Sequence, residues 1–400
     1  MAVVATFTFE QARQCVLERV GESRPAAFIE EVGLLEAAGR VLAEAVAADR
    51  DYPAVARSVR DGFAVRAADL PGELRLIGEV RAGESFTGKV QAGEAVEIMT
   101  GAPLAHGADA VVMVEHVTVS GDRVNVPRTL RTGENISPQG CEAQSGQTLL
   151  EPGRRLGFAD IALLATVGRS RVTVFRKPHV AILATGDEIV DVNETPLDHQ
   201  IRNSNAQSLA VQVANAGGCP RILPVARDSY DATRELVEQG LRFDLLLLSG
   251  GVSAGKYDIV ERVLAELGAE FFFDRVLIQP GQPLVFGRAQ GKFFFGLPGN
   301  PASTMVTFEV FARAAVGILG GEKEPALPLL WSKLSQEFRQ KPGLMRFLPA
   351  RVTSDGSEVT PVRWQGSGDV PAQARANAFL VTDAERESWA AGDLIRVLLK

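Results

Sequence analysis

The sequence predicts an α/β multidomain chain: a central, doubly wound, mostly parallel sheet domain, β-rich N-terminal subdomains and a C-terminal β-barrel-like domain. Three observations carry this. Between about 178 and 320 short apolar runs alternate with segments of helical spacing, the grammar of βαβ units. Between 73 and 155 the texture is instead short alternating runs broken by glycines, and from 330 to 400 that alternation returns.

In chain order, residues 8 to about 20 and 34 to 45 have apolar positions at helical spacing. "ELRLIGEV", "AVEIMTG", "DAVVMVEHVTV" and "DRVNV" read as strands, with "SGD" as the turn between the last two. A helix around 158 to 167 and a strand near 171 to 175 lead to "RKP", a boundary. Then come strand "HVAILATG", helix 204 to 216 closed by Gly217 and Gly218, strand "RILPVA", helix 231 to 240, strand "DLLLLSG" and helix 258 to 267. Strands this apolar suit a parallel sheet buried on both faces. "RVLIQPGQPLVFG" reads as two extended runs around a Pro-Gly turn, followed by strand "KFFFGL" and a helix entered through "PGNPAS". In the last segment "TSDGSEV" is a hairpin signal and "DLIRVLL" a closing strand. The expected division is 1–176 with a β-rich subdomain inserted at about 55–140, then 177–322 and 323–400.

Composition bounds the function. A formal net charge of −7 gives no basic tract of the kind that follows a nucleic-acid backbone, so no nucleic-acid partner is expected. Cys15, Cys141 and Cys219 lie far apart without a C-x-x-C, which suits reduced thiols and a cytoplasmic setting. The start lacks a basic n-region, and no apolar run approaches the roughly 20 residues of a membrane span, so no membrane association is expected.

Ligands of open α/β sheets collect outside the carboxyl ends of the strands. Three loops fit that place: "ATGDEI" with Asp187 and Glu188, the glycine loop "SGGVSAG", and "GLPGNP", in which Asn300 suits a helix cap and Pro301 the first helical turn. Each has a plain structural reading. Asp258 opens "DIVE" as a capping residue would, Asp187 suits a turn, and "LPGNP" could merely shape a connection. One shared site after strands of one sheet explains the three more economically. Hard oxygen ligands without a His or Cys cluster suit Mg²⁺ held by a few carboxylates and substrate phosphates. No G-x-x-x-x-G-K-[ST] and no G-x-G-x-x-G after a strand is present, which weakens kinase and dehydrogenase readings.

Nearly the whole chain resembles the molybdopterin molybdenumtransferases, the MoeA proteins related to the gephyrin E domain. The resemblance is carried by "RDGFAVRAADL", "IMTGAPLAHGADAVVMVE", "GENIS", "ATGDEI", "IRNSNAQSL", "SGGVSAGKYD", "QPGQPLVFG" and "GLPGNPAS". It implies a homodimer whose cleft joins the sheet domain of one subunit to N-terminal segments of the other. The implied reaction takes adenylylated molybdopterin and molybdate, cleaves the pyrophosphate linkage with Mg²⁺, and releases AMP and molybdenum cofactor. The family's functional residues would fall on Asp61, Thr100, Glu188, Asp228 and Asp258, with Glu188, Asp228 and Asp258 as metal contacts and Asp61 and Thr100 acting from the neighbouring subunit. Gly250, Gly251, Ser253, Pro298, Gly299, Asn300, Pro301 and Ser367 would hold the pterin nucleotide. Molybdoenzymes and the upstream adenylyltransferase are the further partners it suggests.

Five positions depart from the family's pattern. "QPGQP" places Gln279 and Gln282 where lysines are usual, Asn135 stands for a carboxylate, Arg60 for a methionine and Pro349 for an arginine. Charge-assisted hydrogen bonds are roughly twice as strong as neutral ones, so oxyanion affinity should fall unless another cation compensates. Arg60 and Lys256 are the compensating residues the sequence offers. The departures leave two alternatives beside the transferase, a non-catalytic pterin- or nucleotide-binding paralogue or cofactor-presenting scaffold, and a tungstate-inserting variant.

Overall fold

A computed structural model describes residues 6–22, 28–250 and 259–400. The strand Leu245–Ser249 lies within a seven-stranded sheet, flanked by His179–Ala184 and Cys219–Ile222 on one side and Lys292–Leu297 on the other, all parallel. Pro283–Ala289 and Glu270–Val276 extend the sheet antiparallel, and Thr6–Phe7 closes its edge. Successive side chains of a strand point to opposite faces. Leu245 and Leu247 therefore enter one core with Leu209 and Val213 of helix Ser204–Asn215, and Leu246 and Leu248 enter another with Val237 and Val263 of helices Tyr230–Gly240 and Ile259–Glu266. That is why the run is apolar without alternation.

The strand expected at "RILPVA" is paired earlier, over Cys219–Ile222, because Pro224 has no N–H to give the ladder. The helix expected over 34 to 45 is reduced to Leu34–Ala37. Gly39, at φ +75°, ends it, and Leu42 and Ala43 give their N–H groups to Arg154 and Thr173 instead. Pro301–Leu319 forms a continuous helix of 19 residues with a π-helical turn at Phe308–Ala312. It has the length and apolar composition of a membrane span, contrary to the expectation that no run approaches one. Its composition has another cause: 78% of its apolar window is buried, and it packs against helix Phe9–Glu22.

A six-stranded sheet in the N-terminal half runs, in spatial order, Ala110–Met113, Gly62–Val65, Glu94–Ile98, Gly72–Val80, Arg123–Val126 and Thr118–Ser120, with cores of its own. Gly121, at φ +61°, turns the last hairpin as the sequence suggests. Ile29–Gly33 and Arg171–Phe175 pair beside it over a separate core that includes Leu164 of helix Phe158–Thr166. In the C-terminal region Met345–Val352, Glu358–Pro361, Leu329–Leu334, Leu394–Leu399 and Ala378–Thr382 close into a five-stranded barrel. Ile278–Gln279, from between two strands of the central sheet, pairs with Met345 and Arg346 of the barrel. Met345, Phe347, Phe379 and Val381 share a core with Phe308 and Phe311 of the long helix, so barrel and sheet are packed as one body.

Candidate active site

The loops after His179–Ala184, Leu245–Ser249 and Lys292–Leu297 meet at adjacent strand ends and enclose a cleft of ≈ 290 Å³. Thr185, Glu188, Asn205, Gly250, Gly299 and Asn300 line it. Glu188 is exposed at the rim, and the backbone on either side of it is pinned: Ile201 N–H donates to the Glu188 carbonyl at 2.8 Å, and Ile189 pairs with Ile201. Asp187 turns away from ligand duty, since its Oδ1 accepts the Asp228 N–H at 3.1 Å. That bond sets Asp228 on the loop next to Glu188, both carboxylates being exposed. Among the described residues no three His, Cys, Asp or Glu side chains gather as a metal cluster. Asp258, Gly251, Ser253 and Lys256 lie outside the described residues.

Gly250 has φ +87°, and a Cβ there would stand 2.9 Å from the Thr185 carbonyl oxygen. Both facts require glycine, and both bring the backbone to the cleft floor. Facing it, Gly299 approaches so closely that a Cβ would touch Gly250 Cα at 3.5 Å. Asn300 holds the N-cap position of the long helix, but its side chain makes no capping bond; its carbonyl accepts from Thr304 instead. Pro301 has no N–H to offer, and the Ala302 N–H is taken by the Ser367 carbonyl at 2.9 Å. Ser367 thus meets this helix end through its backbone. Its side of the helix belongs to a second cleft, of ≈ 430 Å³, lined by the Gln279–Pro283 turn, Pro298, Asn300, Ser303, Trp364 and Ser367.

Asn205 is the residue that sequence reading missed. Its Nδ2 donates to Ser249 Oγ at 2.8 Å and to the Gly299 carbonyl at 2.7 Å, tying two of the three loops together. Its Oδ1 and Thr185 Oγ1 are buried without a hydrogen-bond partner among the described residues, and both residues line the cleft. Orphaned buried polar atoms are rare in folded proteins and costly, and a ligand in the cleft is one partner that would satisfy these two. "IRNSNAQSL" carried a signal of sorts, because Asn203 caps the helix by accepting the Ala206 N–H and thereby puts Asn205 in its first turn.

Asp61 and Thr100 meet each other at the ends of neighbouring strands in the six-stranded sheet. Asp61 Oδ1 accepts the Thr100 N–H at 2.6 Å and the Thr100 hydroxyl at 2.8 Å. These two donors hold the Asp61 carboxyl below its ordinary range, so it is ionised at neutral pH. Within one chain their hydrogen bonds stay inside this subdomain and reach neither cleft. Arg60 is likewise tied locally, its N–H and carbonyl both meeting the Ser58 hydroxyl. Asn135, at φ 59°, donates from Nδ2 to the Val111 carbonyl at 2.9 Å, a bond that a carboxylate could not make. Pro349 is buried in the barrel wall opposite Phe379.

The arrangement has known counterparts. Family models for the MoeA N-terminal region (domains I and II), a probable molybdopterin-binding domain and the MoeA C-terminal region (domain IV) match residues 7–168, 181–317 and 332–400. The molybdopterin molybdenumtransferase of Staphylococcus aureus is 33% identical over 92% of this chain and 90% of its own length. The chain belongs to the molybdopterin molybdenumtransferase (MoeA) family. The Staphylococcus epidermidis molybdenumtransferase matches to the same extent, 33% over 92% of this chain. A MoeA molybdopterin biosynthesis protein from Pyrococcus horikoshii aligns over 99% of this chain and 100% of its own at 26% identity and a TM-score of 0.81. A second Pyrococcus MoeA structure, covering 99% of each chain, gives 32% identity and a TM-score of 0.74. A MoeA-family transferase of molybdenum cofactor biosynthesis is therefore the frame for the cleft, and the pterin is its small-molecule substrate.

Proposed function

We propose that the ≈ 290 Å³ cleft binds adenylylated molybdopterin, and that the enzyme cleaves its pyrophosphate while molybdate is inserted, releasing AMP and molybdenum cofactor. The observation that carries this is the pair of orphaned buried atoms, Thr185 Oγ1 and Asn205 Oδ1, beside the glycine floor at three parallel strand ends. A hydroxyl can donate to a phosphate oxygen. The Asn205 oxygen, with both amide protons already spent, accepts from an N–H or O–H of the pterin or ribose. Gly250 lets a phosphate approach the backbone, which no residue with a Cβ would allow.

Mg²⁺ fits this donor set. It keeps several waters and takes substrate phosphates, so it needs one or two protein carboxylates rather than a cage. Glu188 at the rim and Asp228 on the neighbouring loop would hold it, with Asp258 as the remaining candidate. Bound there it would neutralise charge developing on the pyrophosphate oxygens. Glu188, fixed through its pinned backbone, orients the phosphates; Asn205 and Thr185 hold the organic part; the Asn300 turn separates this cleft from its ≈ 430 Å³ neighbour. Gly251 and Ser253 are assigned to phosphate, and Pro298, Gly299, Asn300, Pro301 and Ser367 to the partition between the clefts.

Asp61 and Thr100 complete the site from a second subunit of a cytoplasmic homodimer. Two things support this: their carboxylate–hydroxyl pair is exposed and ionised yet lines neither the ≈ 290 Å³ cleft nor the ≈ 430 Å³ cleft, and Leu35 and Phe158 stand 90% and 92% exposed on helices Leu34–Ala37 and Phe158–Thr166. The two helices pack against each other, so these side chains stand on neighbouring elements, where an apolar surface would suit a protein partner. The test is turnover by variants. Glu188→Gln should lower kcat for AMP release by at least about a hundredfold, the scale of a lost phosphate- or metal-orienting carboxylate. Asn205→Ala should raise KM for the pterin nucleotide. Mixing Glu188→Gln with Asp61→Ala subunits should restore part of the activity. Wild-type rates in Glu188→Gln would move the chemistry out of this cleft, and tight nucleotide binding without AMP release would make the protein a binding paralogue.

A further inference from the structure

The ≈ 430 Å³ cleft between barrel and sheet has no carboxylate and no cation among its described lining residues. Its polar groups are donors or neutral: the amides of Gln279, Gln282 and Asn300 and the hydroxyls of Ser303 and Ser367. One cation stands directly behind it. Arg346 Nε donates to Gln279 Oε1 at 2.8 Å and Arg346 Nη1 to the Lys341 carbonyl at 2.7 Å, and no carboxylate pairs with Arg346 among the described residues. Burial lowers its pKa without any compensating acid. An unpaired, partly desolvated guanidinium is unfavourable by itself, and an anion nearby would offset that cost.

The bond to Arg346 also decides which way the Gln279 amide faces. With Oε1 turned to the guanidinium, the NH₂ end with its two N–H donors is the one left to the cleft. Register explains the contact: Ile278 and Gln279 pair with Met345 and Arg346, which brings the two side chains alongside each other. Arg60 lines neither cleft; its backbone N–H and carbonyl meet the Ser58 hydroxyl beside the two-stranded pair Arg57–Ser58 and Ile136–Ser137.

We propose that Arg346 is a positioning residue for the oxyanion substrate: it locks Gln279 as a donor toward the ≈ 430 Å³ cleft and supplies from behind the positive charge that "QPGQP" lacks. This rests on the reading that the enzyme takes a molybdate-like dianion, and it names the residue that makes the cleft receptive to one. The test is binding of molybdate itself, by calorimetry on the full-length protein with and without the pterin nucleotide. Arg346→Ala should weaken molybdate about tenfold, the scale of one charge-assisted contact, and raise KM for molybdate while leaving kcat and nucleotide affinity near wild type. Arg346→Lys should recover part of the loss. Gln279→Lys in the Arg346→Ala background should restore affinity by placing the charge in the cleft directly, an effect that mere loss of barrel stability would not produce. Unchanged molybdate affinity in Arg346→Ala, or no rescue by Gln279→Lys, overturns the proposal. Because binding is read apart from AMP release, a protein that binds molybdate through Arg346 yet releases no AMP refutes the transferase reading and leaves this one standing.

Discussion

Asp61 carries its charge because Thr100 gives it two hydrogen bonds. Its folded pKa lies below the ordinary value, so the stabilisation from this pair is present above the unfolded pKa and is lost as pH falls through the folded one. Thr100→Val removes the hydroxyl and keeps the N–H; carbon-detected NMR titration should then find the Asp61 pKa higher than in the wild type, though still below its ordinary value. Asn135 makes the opposite kind of point. The sequence reads it as a lost carboxylate, whereas in the structure its Nδ2 serves the Val111 carbonyl. Asn135→Asp should therefore destabilise the chain, by about 1–3 kcal/mol for an unsatisfied buried partner, visible as a lower denaturant midpoint. Motif reading finds residue types at positions. It cannot find Arg346 or the orphaned oxygen of Asn205, because both owe their meaning to which neighbour already occupies their other atoms.

Strands and the loops after them were readable because their pattern is set by burial on both faces, and the apolar runs at 179, 245 and 292 gave the sheet before any coordinate did. Glycine geometry was readable as a type and not as a constraint. Gly62 in "RDGFAV" lies so near strand Ala110–Met113 that a Cβ would stand 1.9 Å from the Val112 carbonyl oxygen. Gly62→Ala should cost about 1–3 kcal/mol or more as an overpacked site and weaken the anchor of Asp61. Gly250→Ala adds strain at φ +87° to a 2.9 Å clash, and should abolish nucleotide binding with the rest of the sheet intact by circular dichroism. The 34–45 segment misled because helical spacing is a local signal, while pairing of Leu42 and Ala43 with distant carbonyls is not.

At the scale of the molecule, the barrel and the sheet domain share one core and one strand pairing, and the second cleft exists only between them. The six-stranded subdomain, by contrast, has its own cores. Calorimetry should accordingly resolve at least two transitions, with the barrel melting together with the central sheet and ligand shifting that transition first. What the sequence could not convey is this partition, in which one turn, Pro298–Pro301, lies between the ≈ 290 Å³ cleft and the ≈ 430 Å³ cleft, the proposed nucleotide and oxyanion sites. The measurement that tests the account most directly is AMP release by the purified protein given adenylylated molybdopterin and Mg²⁺, with molybdate, with tungstate and without either. AMP release that depends on an oxyanion and matches metal bound to pterin is the predicted result, and the preferred oxyanion identifies the metal; stable nucleotide binding with no AMP under any of the three conditions would contradict it.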